Sequence, residues 1–551
     1  MEKKKKTKRF ALATKYTSLP ILLLYLTISV LYVLLPQWRH VVYALDDYKF
    51  HMNRIIGLEN IWHSPVNFNT FNFTGIPVNL FYPWLTSYPL YILTTKWGWI
   101  TGYNAFIMCL TFITLIISHL SMYRLSQNKD KSILFAILYS TATYRAIDIF
   151  FRAALGEMIA LAFFPIVLAG NIELITSVVK KEKIKWQYLA LGMTLLIYTH
   201  VLSVFIATLL VLSYTLFTFI KWRRIDKRVL VGLVKAATCT LVIGLAFIGP
   251  LLEQTLYQGL NEPLAVNLEY RSLDLGTLLV DSMNNQYTTF NIGLSMIVCL
   301  FILSFNYRQL TEDNRLLFIL GTLSFLLTTK LFPWELFQHT PIHIIQFPWR
   351  LFTLTTLLIA WVTSNFAVDY LTGLSTHKKW GVIVVLSCCL LLQNGIQLDL
   401  AVGTLSETTP YFVRYEDWES DFNQFNTKDY APKVSKITAE QIKNHQVMLD
   451  NQPIDSHMEV TPSSIVFEFN AKTQGEVSIP LYRYKGTRLW LNNKEIRLSD
   501  ETKGIIRFKL ASRNNKLLVK MDYTVFARIC QFVSLSASLI CLGITMKKRS
   551  L

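Results

Sequence analysis

Charged residues are scarce in this chain: they make up 16% of its 551 residues, whereas hydrophobic residues make up 52%. This balance argues against a set of soluble domains, because the apolar residues are gathered in runs of membrane-crossing length. The formal net charge of +18 does not indicate nucleic-acid binding, since Lys and Arg occur in short clusters between apolar runs. The composition predicts a polytopic membrane protein in contact with a lipid bilayer.

Several chemical signatures are also missing. All seven cysteines lie in apolar runs, which indicates neither a disulfide framework nor a thiolate metal site. The sequence has no glycine-rich phosphate loop, HExxH, suitable GxSxG or paired CxxC motif. We expect no cofactor. Asp46 and Asp47 could bind a divalent cation, but the sequence shows no further oxygen ligands near these two adjacent carboxylates, so it gives this alternative little support.

The charge pattern predicts the topology. Residues 1–17 form a basic N-terminus, and the apolar run at 18–35 is followed by no small-residue cleavage site, so we interpret it as an uncleaved signal-anchor with its lysines in the cytoplasm. Later basic clusters predict cytoplasmic loops, and the long segments 37–103, 253–288 and 332–348 then lie outside. About twelve transmembrane helices result, with both termini in the cytoplasm.

As a helix, the segment 186–220 would be about 50 Å long, whereas the hydrocarbon core of a bilayer is about 30 Å thick. The segment is therefore too long to cross the membrane once and too short to cross it twice with full-length helices. We expect two short helices that turn near His200, or a re-entrant pair.

The fold class is therefore mainly α, with a small extracytoplasmic antiparallel β domain before the last helix. The predicted membrane domain covers 18–395 with about eleven helices, and the β-rich domain covers 396–522. The last helix covers 523–546, and a basic tail covers 547–551. Alternating segments such as SIVFEF, TRLWL and KLLVKM predict the strands. Asn492 and Asn493 predict a hairpin turn.

The first charged cluster, LDDYKFHMNR, follows the first apolar run. On a helix, Asp47, His51 and Arg54 have the i, i+4, i+7 spacing of one common face. A carboxylate there could act as general base toward a hydroxyl while the cations bind phosphate. The alternative is a helix N-cap at Asp46 or Asp47 followed by a solvated turn.

The second cluster, YRAIDIFFRAALGE, contains Arg145, Asp148, Arg152 and Glu157. Outer arginines oppose the charge bias, so an anionic headgroup is one explanation for them. The alternative is an internal ion-pair network that joins Arg145 to Asp148 and Arg152 to Glu157.

Two further residues stand at predicted helix ends. Arg350 follows Pro348 and Trp349, where it could anchor the helix at the interface or bind a lipid phosphate. His200 is more typical of a polar cap than of a catalyst.

The ordered phrases DDYKFHMNRIIGLENIW, GIPVNLFYPWLTSYPLYIL, YRAIDIFFRAALGEMIALAFFPIVLAG and QFPWRLFTL resemble a family of bacterial membrane proteins labelled "6-pyruvoyl-tetrahydropterin synthase-related". That family looks like a branch of the GT-C glycosyltransferases. The resemblance covers about residues 18–395, and LYRYKGTRLWLNNKEI resembles the family's C-terminal β domain. It implies an enzyme that uses a polyprenyl-phosphate-linked sugar on the outer face and an envelope glycopolymer or glycolipid as acceptor.

The resemblance also implies roles for individual residues. Asp47, Phe50, His51 and Arg54 match the family's D-x-x-F-H-x-x-R, which puts the base on Asp47. Arg152 and Glu157 match R-G-A-L-G-E, with Ala153 in place of the glycine, and Arg350 matches F-P-W-R. Our candidate catalytic residues are Asp47 and His51. The candidate substrate-binding residues are Asp46, Arg54, Arg145, Arg152, Glu157, His200 and Arg350.

Two other functions fit the same composition. Twelve spans with both termini inside also occur in transporters and flippases, although such proteins usually place polar residues near the bilayer midplane. A non-catalytic envelope-assembly protein whose β domain binds envelope polymers is the second alternative.

Overall fold

A computed structural model describes residues 18–35, 41–43, 47–263, 266–406, 412–414, 425–471, 473–498, 503–510 and 514–550. The chain divides into two compact units, each assembled from segments distant in sequence. The first comprises Met1–Asp47, Leu93–Thr240 and Val266–Tyr415, and the second comprises Tyr48–Ile92, Leu241–Ala265 and Glu416–Leu551.

Helices dominate the first unit. They cover Leu19–Leu34, Trp99–Ser126, Lys129–Ser140, Thr143–Ala146, Leu155–Leu161, Phe164–Val179, Gln187–Ile197, Val201–Trp222, Leu268–Arg271, Leu275–Met283, Gly293–Phe305, Glu312–Leu326, Phe352–Leu371 and Thr376–Ser406, with a π-helical turn at Ile147–Phe151 and 3-10 turns at Tyr307–Gln309, Trp334–Phe337, Pro341–Ile345 and Pro348–Leu351. Two short strands, β1 (Val41–Tyr43) and β2 (Phe412–Arg414), pair antiparallel in this unit. The helices Tyr88–Trp97 and Lys227–Tyr257 each contain a boundary between the units.

Among the residues that the structure describes, six helices are long and apolar enough to cross a membrane: Trp99–Ser126, Val201–Trp222, Lys227–Tyr257, Pro348–Leu371, Thr376–Ala401 and Val525–Ile544. Two bent pairs could raise the number to eight, namely Lys129–Ser140 with Thr143–Phe151 (46°) and Leu155–Leu161 with Phe164–Val179 (41°). The helices Leu19–Leu34, Gln187–Ile197 and Gly293–Phe305 are apolar but shorter. This pattern fits a multi-pass membrane protein.

The predicted count of about twelve spans is not confirmed within the described ranges. A helix of 16 residues, the longest of the three shorter ones, covers about 24 Å, less than a hydrocarbon core of about 30 Å.

Two predictions about element boundaries have different outcomes. The predicted break near His200 is present, because one helix ends at Ile197 and the next begins at Val201, but the second helix has 22 residues and is not short as predicted. The predicted boundary between residues 395 and 396 is wrong, because the helix Thr376–Ser406 continues through it. The region predicted as β-rich from residue 396 onward therefore begins inside this helix, because single polar residues do not end a helix.

The second unit contains two antiparallel sheets. Its strands are β3 (Val447–Leu449), β4 (Gln452–Ile454), β5 (Ser456–Thr461), β6 (Ser464–Asn470), β7 (Gly475–Arg483), β8 (Thr487–Leu491), β9 (Lys494–Ile496), β10 (Gly504–Leu510) and β11 (Asn514–Met521). The four-stranded sheet has the order β10-β7-β3-β4, and the five-stranded sheet has the order β5-β6-β11-β8-β9. The prediction of an antiparallel β region is confirmed.

The hairpin turn between β8 and β9 is also confirmed. Asn492 and Asn493 have φ values of 48° and 68°, as a two-residue type I′ turn requires. Asparagine tolerates this left-handed conformation better than most residues.

The remaining elements of the second unit are helices at Tyr48–Ile56, Val78–Phe81, Lys436–Lys443 and Val525–Ser550 and a 3-10 turn at Leu85–Ser87. Residues 48–92 share one hydrophobic core with the strands: Phe68 and Phe71 belong to the same buried cluster as Phe467 and Ile479. The Tyr482 N–H donates to the Thr74 carbonyl at 3.1 Å. The sequence analysis treated this segment as a separate outer loop, whereas it belongs to the folded β region.

The end of the helix Lys227–Tyr257 contacts the same β region. The Gln254 side chain donates to the Lys485 carbonyl at 2.9 Å and accepts from the Lys485 N–H at 3.1 Å. The Gln258 side chain donates to the Arg483 carbonyl at 2.8 Å and accepts from the Gly504 N–H at 3.1 Å. Each amide thus satisfies one backbone donor and one backbone acceptor, which fixes the strands against this helix end.

Candidate functional site

Arg152, from the second charged motif, lies at the centre of an ion cluster in the first unit. Its Nη1 lies 2.8 Å from Glu157 Oε2 and also contacts Asp148. Its Nη2 lies 3.6 Å from Asp47 Oδ2. Only 2% of the Arg152 side chain is exposed, so the carboxylates compensate for the hydration that the guanidinium loses on burial.

The local backbone explains how Arg152 reaches carboxylates on both sides of it in sequence. A π-helical turn ends at Phe151, and the chain passes through the left-handed region at Ala153, where φ is 50°. The next helix then begins at Leu155 and carries Glu157. The Arg152 carbonyl accepts a hydrogen bond from the Asp47 N–H at 3.2 Å.

Ala153 adopts the left-handed backbone conformation, in which glycine carries no steric cost. Alanine adopts the same conformation here at a cost of about 1–2 kcal/mol.

Glu157 is held from two further directions. The Tyr144 hydroxyl donates to its Oε1 at 2.5 Å, and Arg350 Nε lies 3.5 Å from its Oε2. Arg350 Nη1 donates to the Ile345 carbonyl at 3.1 Å and to Gln346 Oε1 at 2.9 Å. Arg350 thus stands at the start of its helix as predicted, but it takes part in an ion pair that neither sequence interpretation included.

Aromatic rings cover one side of the cluster. The guanidinium carbon of Arg152 lies 4.5 Å from the Trp349 ring centroid, a distance typical of a cation–π contact. Phe290 stacks on Trp349 with the ring centroids 3.8 Å apart and the planes 5° from parallel. The sequence predicts Trp349 only as an interfacial anchor. It gives no role to Phe290, which stands in no motif, or to Tyr144, which opens the second cluster but carries no charge.

Asp47 differs from the two other carboxylates in exposure. Its side chain is 39% exposed, whereas those of Asp148 and Glu157 are 0% and 5% exposed. The buried pair holds Arg152 in place. Asp47 is the member of this trio that a molecule from solution can reach, and a carboxylate in that position can accept a proton from a bound hydroxyl.

Arg145 has other contacts. Its Nη1 donates to the Ser140 carbonyl at 2.8 Å and its Nη2 to Thr111 Oγ1 at 3.1 Å. The alternative that paired Arg145 with Asp148 is wrong, because Asp148 contacts Arg152 and no ion pair within 4.0 Å joins it to Arg145. The other half of that alternative, Arg152 with Glu157, is present.

His51 and Arg54 belong to the second unit, on the helix Tyr48–Ile56. Arg54 Nη1 lies 3.0 Å from His51 Nδ1, and its Nη2 donates to the Pro83 carbonyl at 2.7 Å. The guanidinium carbon lies 3.8 Å from the Tyr82 ring centroid. Burial lowers the pKa of Arg54 to about 10, which still leaves it charged at neutral pH.

The charge of Arg54 is not balanced by an acidic side chain within the described ranges. No Asp or Glu there lies within the 4.0 Å ion-pair distance of Arg54, although only 1% of the residue is exposed. Backbone carbonyls, His51 and the Tyr82 ring solvate the cation instead. A buried guanidinium in such surroundings favours an anion nearby.

The predicted helix with Asp47, His51 and Arg54 on a common face is wrong in one respect. The helix begins at Tyr48, so Asp47 precedes it, and the Asp47 side chain faces Arg152. The i, i+3 pair of His51 and Arg54 does lie on one face. The spacing of charged residues could not show that Asp47 precedes the helix, because such spacing does not determine the residue at which a helix begins.

His200 lies at the residue before the helix Val201–Trp222. Its Nδ1 lies 2.9 Å from Ser203 Oγ, an arrangement typical of a local polar cap. His200 is also close enough to Glu157 to interact electrostatically with that carboxylate.

Asp46 lies outside the described residues. Within the described ranges, no group of three or more His, Cys, Asp or Glu side chains could hold a metal ion. The divalent cation considered at Asp46 and Asp47 therefore stays an untested alternative.

No protein-family model and no curated protein matches this chain.

Proposed function

We propose that this protein is a membrane glycosyltransferase of the GT-C type, which moves a sugar from a polyprenyl-phosphate donor to a cell-envelope acceptor. The observation that carries this proposal is the position of Asp47: it is the exposed carboxylate of a cluster whose arginine is otherwise buried. The motif resemblance supports the same residue as the base. An exposed carboxylate 3.6 Å from a guanidinium brings together a proton acceptor and a partner for an anion.

In the proposed reaction, Asp47 accepts the proton of an acceptor hydroxyl as the hydroxyl oxygen attacks the anomeric carbon of the donor. The bond between that carbon and the phosphate oxygen breaks, and polyprenyl phosphate leaves with the bonding electron pair. One displacement without a covalent enzyme intermediate inverts the anomeric centre. Arg152 and Arg350 stabilise the charge on the departing phosphate.

The other candidate residues have supporting roles. Asp148, Glu157 and Tyr144 orient Arg152 and Arg350 through the contacts already described. A catalytic role for His51 and substrate binding by Arg54 are proposed from the motif resemblance. Substrate binding by Arg145, His200 and Asp46 is proposed from their places in the sequence.

We place the protein in the cell membrane as a multi-pass protein with both termini in the cytoplasm and the β region outside. The support is the distribution of charge: the first 17 residues are rich in lysine, and the chain ends in a second basic cluster. A donor anchored in the bilayer would then present its phosphate at headgroup depth.

The test is transfer by purified protein in proteoliposomes that contain a labelled polyprenyl-phosphate sugar. The envelope glycan composition of cells with and without the protein would first identify the sugar and acceptor to use. We expect Asp47→Asn to reduce the transfer rate at least about 100-fold, the usual scale of a lost general base.

Glu173→Gln is the matched control. Glu173 is also an arginine-paired carboxylate of the first unit, 2.8 Å from Arg124, but it lies outside the ion cluster, so transfer should be unchanged. Wild-type rates in Asp47→Asn would show that the base assignment is wrong. Movement of the lipid-linked sugar across the bilayer without transfer would favour the flippase, and neither activity would favour a role in envelope assembly.

A further inference from the structure

A polar groove lies on the five-stranded sheet of the second unit, at the ends of three strands. The start of β5, the end of β6, the start of β11 and the turn residue Asn492 line a volume of about 610 Å³. Pockets of this size accommodate small organic ligands. None of the residues around Arg152 belongs to the groove, and the sequence analysis assigned its lining no role.

The lining is made of side chains that both donate and accept hydrogen bonds. Asn470, Asn492 and Asn514 are exposed and contribute three amides, whereas Asn515 borders the groove but is buried. Every other lining residue except Phe469 carries a polar or charged group. Phe469 is itself buried, so it offers little apolar surface. An amide can donate to one hydroxyl and accept from the next, which suits a ligand whose surface consists mainly of hydroxyl groups.

The charges in the groove largely compensate one another. Lys516 Nζ lies 2.7 Å from Glu468 Oε1, and Asp455 contributes a second carboxylate. Such a groove has no excess of positive charge to attract a phosphate or another polyanion. Its polar lining also disfavours a lipid chain or an apolar peptide.

The backbone holds this lining in one geometry. Glu468 and Lys516 are directly opposed in the β6–β11 ladder, as are Asn470 and Asn514. The Asn492 side chain accepts a hydrogen bond from the Lys516 N–H at 2.9 Å, and the Asn492 N–H donates to the Lys516 carbonyl at 2.9 Å. A site organised before binding loses less entropy when a ligand enters.

We propose that this groove binds a segment of a neutral sugar chain. Carbohydrate hydroxyls match the asparagine amides, and a neutral ligand matches a groove whose only lysine, Lys516, is already paired with Glu468. Binding by the groove does not depend on the transfer reaction, so it stands or falls independently of the proposed glycosyltransferase activity.

The test uses the full chain in lipid nanodiscs, prepared with a detergent that has no sugar headgroup. Calorimetric titrations would use neutral tetrasaccharides of glucose, mannose, galactose and N-acetylglucosamine, with an oligomer of glycerol phosphate as the anionic comparison. We expect wild type to bind at least one neutral tetrasaccharide and Asn470→Ala to bind it about three- to tenfold more weakly, the scale of one or two lost hydrogen bonds.

Asn444→Ala is the matched control, because Asn444 is exposed and lies in the same unit but outside the groove; it should bind as wild type does. The proposal is overturned if wild type binds no neutral tetrasaccharide, if it binds only the glycerol phosphate oligomer, or if Asn470→Ala binds normally. Asp47→Asn should retain binding. Binding by a wild-type protein that transfers no sugar would leave the groove proposal intact and refute the proposed function.

Discussion

Replacing Arg152 by methionine should destabilise the first unit by about 3–5 kcal/mol. Methionine keeps a long flexible side chain but removes the charge that Asp148 and Glu157 share. Both carboxylates are almost completely buried, and removing one partner of a buried ion pair costs about this much. Glu157 retains Tyr144 and Arg350, so the lower end of the range is the better expectation.

Comparison with two further variants tests the electrostatic origin of that loss. Arg350→Met should cost only about 1–2 kcal/mol, since Arg350 lies 3.5 Å from Glu157 and its other described bonds are to a carbonyl and an amide. Adding Asp148→Asn to Arg152→Met should recover about 1–2 kcal/mol, because it removes a buried carboxylate that has lost its cation.

Cysteine labelling measures this loss in the first unit. Cys299 is buried there, so a chain that retains it as the sole cysteine reacts with a thiol reagent mainly when the unit opens. When opening and closing are faster than labelling, 3 kcal/mol raises the labelling rate about 150-fold. A change below about fivefold, or no recovery from Asp148→Asn, would refute the reasoning.

Two further predictions concern the backbone at Ala153 and the titration of His445. Because φ at Ala153 is 50°, Ala153→Gly should leave the free energy of unfolding unchanged or raise it by up to about 1 kcal/mol. Ala153→Val should lower it by more than about 1 kcal/mol. Equal effects of the two variants in the same labelling assay would contradict this prediction. Burial lowers the pKa of His445 in the folded protein below its usual 6.5. The unfolded chain then binds a proton at His445 more readily than the folded protein does. The stability contributed by neutral His445 is therefore present above the pKa of the unfolded chain and is lost as pH falls through the pKa of the folded protein. His445→Gln should therefore reduce the fall in melting temperature between pH 7 and pH 5, and an unchanged fall would show that His445 does not contribute.

The strands and the β8–β9 turn could be predicted because their signals are local. Alternation along β6 and β11 and the Asn492–Asn493 pair each specify backbone geometry within a few residues. The inclusion of residues 48–92 in the β core had no such signal. Phe71 enters that core from a run of three left-handed residues, with φ of 51–54° at Phe71, Asn72 and Phe73, which only contacts distant in sequence can stabilise.

The charged residues of the site were identifiable one by one, but of their ion pairs only Arg152 with Glu157 was among the sequence alternatives. The sequence alternative joined Arg145 to Asp148 at i, i+3, whereas the observed partner of Asp148 is Arg152 at i, i+4. The π-helical turn and the left-handed Ala153 change which side chains meet, and neither feature has a composition signal. Tyr144 was missed for a related reason, since an uncharged hydroxyl becomes informative only when its carboxylate partner is known.

The structural and catalytic interpretations of the Arg152 cluster describe different members of it. Asp148 and Glu157 are inaccessible and bind Arg152, so their loss should appear first as lost stability. Asp47 is exposed and lies 3.6 Å from Arg152. This contact contributes at most about 1 kcal/mol in water, so losing the contact itself should cost little stability. If Asp47→Asn leaves Cys299 labelling unchanged but abolishes transfer, the buried ion pairs of the cluster hold one reactive carboxylate in place. If Asp47→Asn instead speeds labelling as strongly as Arg152→Met does, Asp47 has a structural role and the base must be another residue.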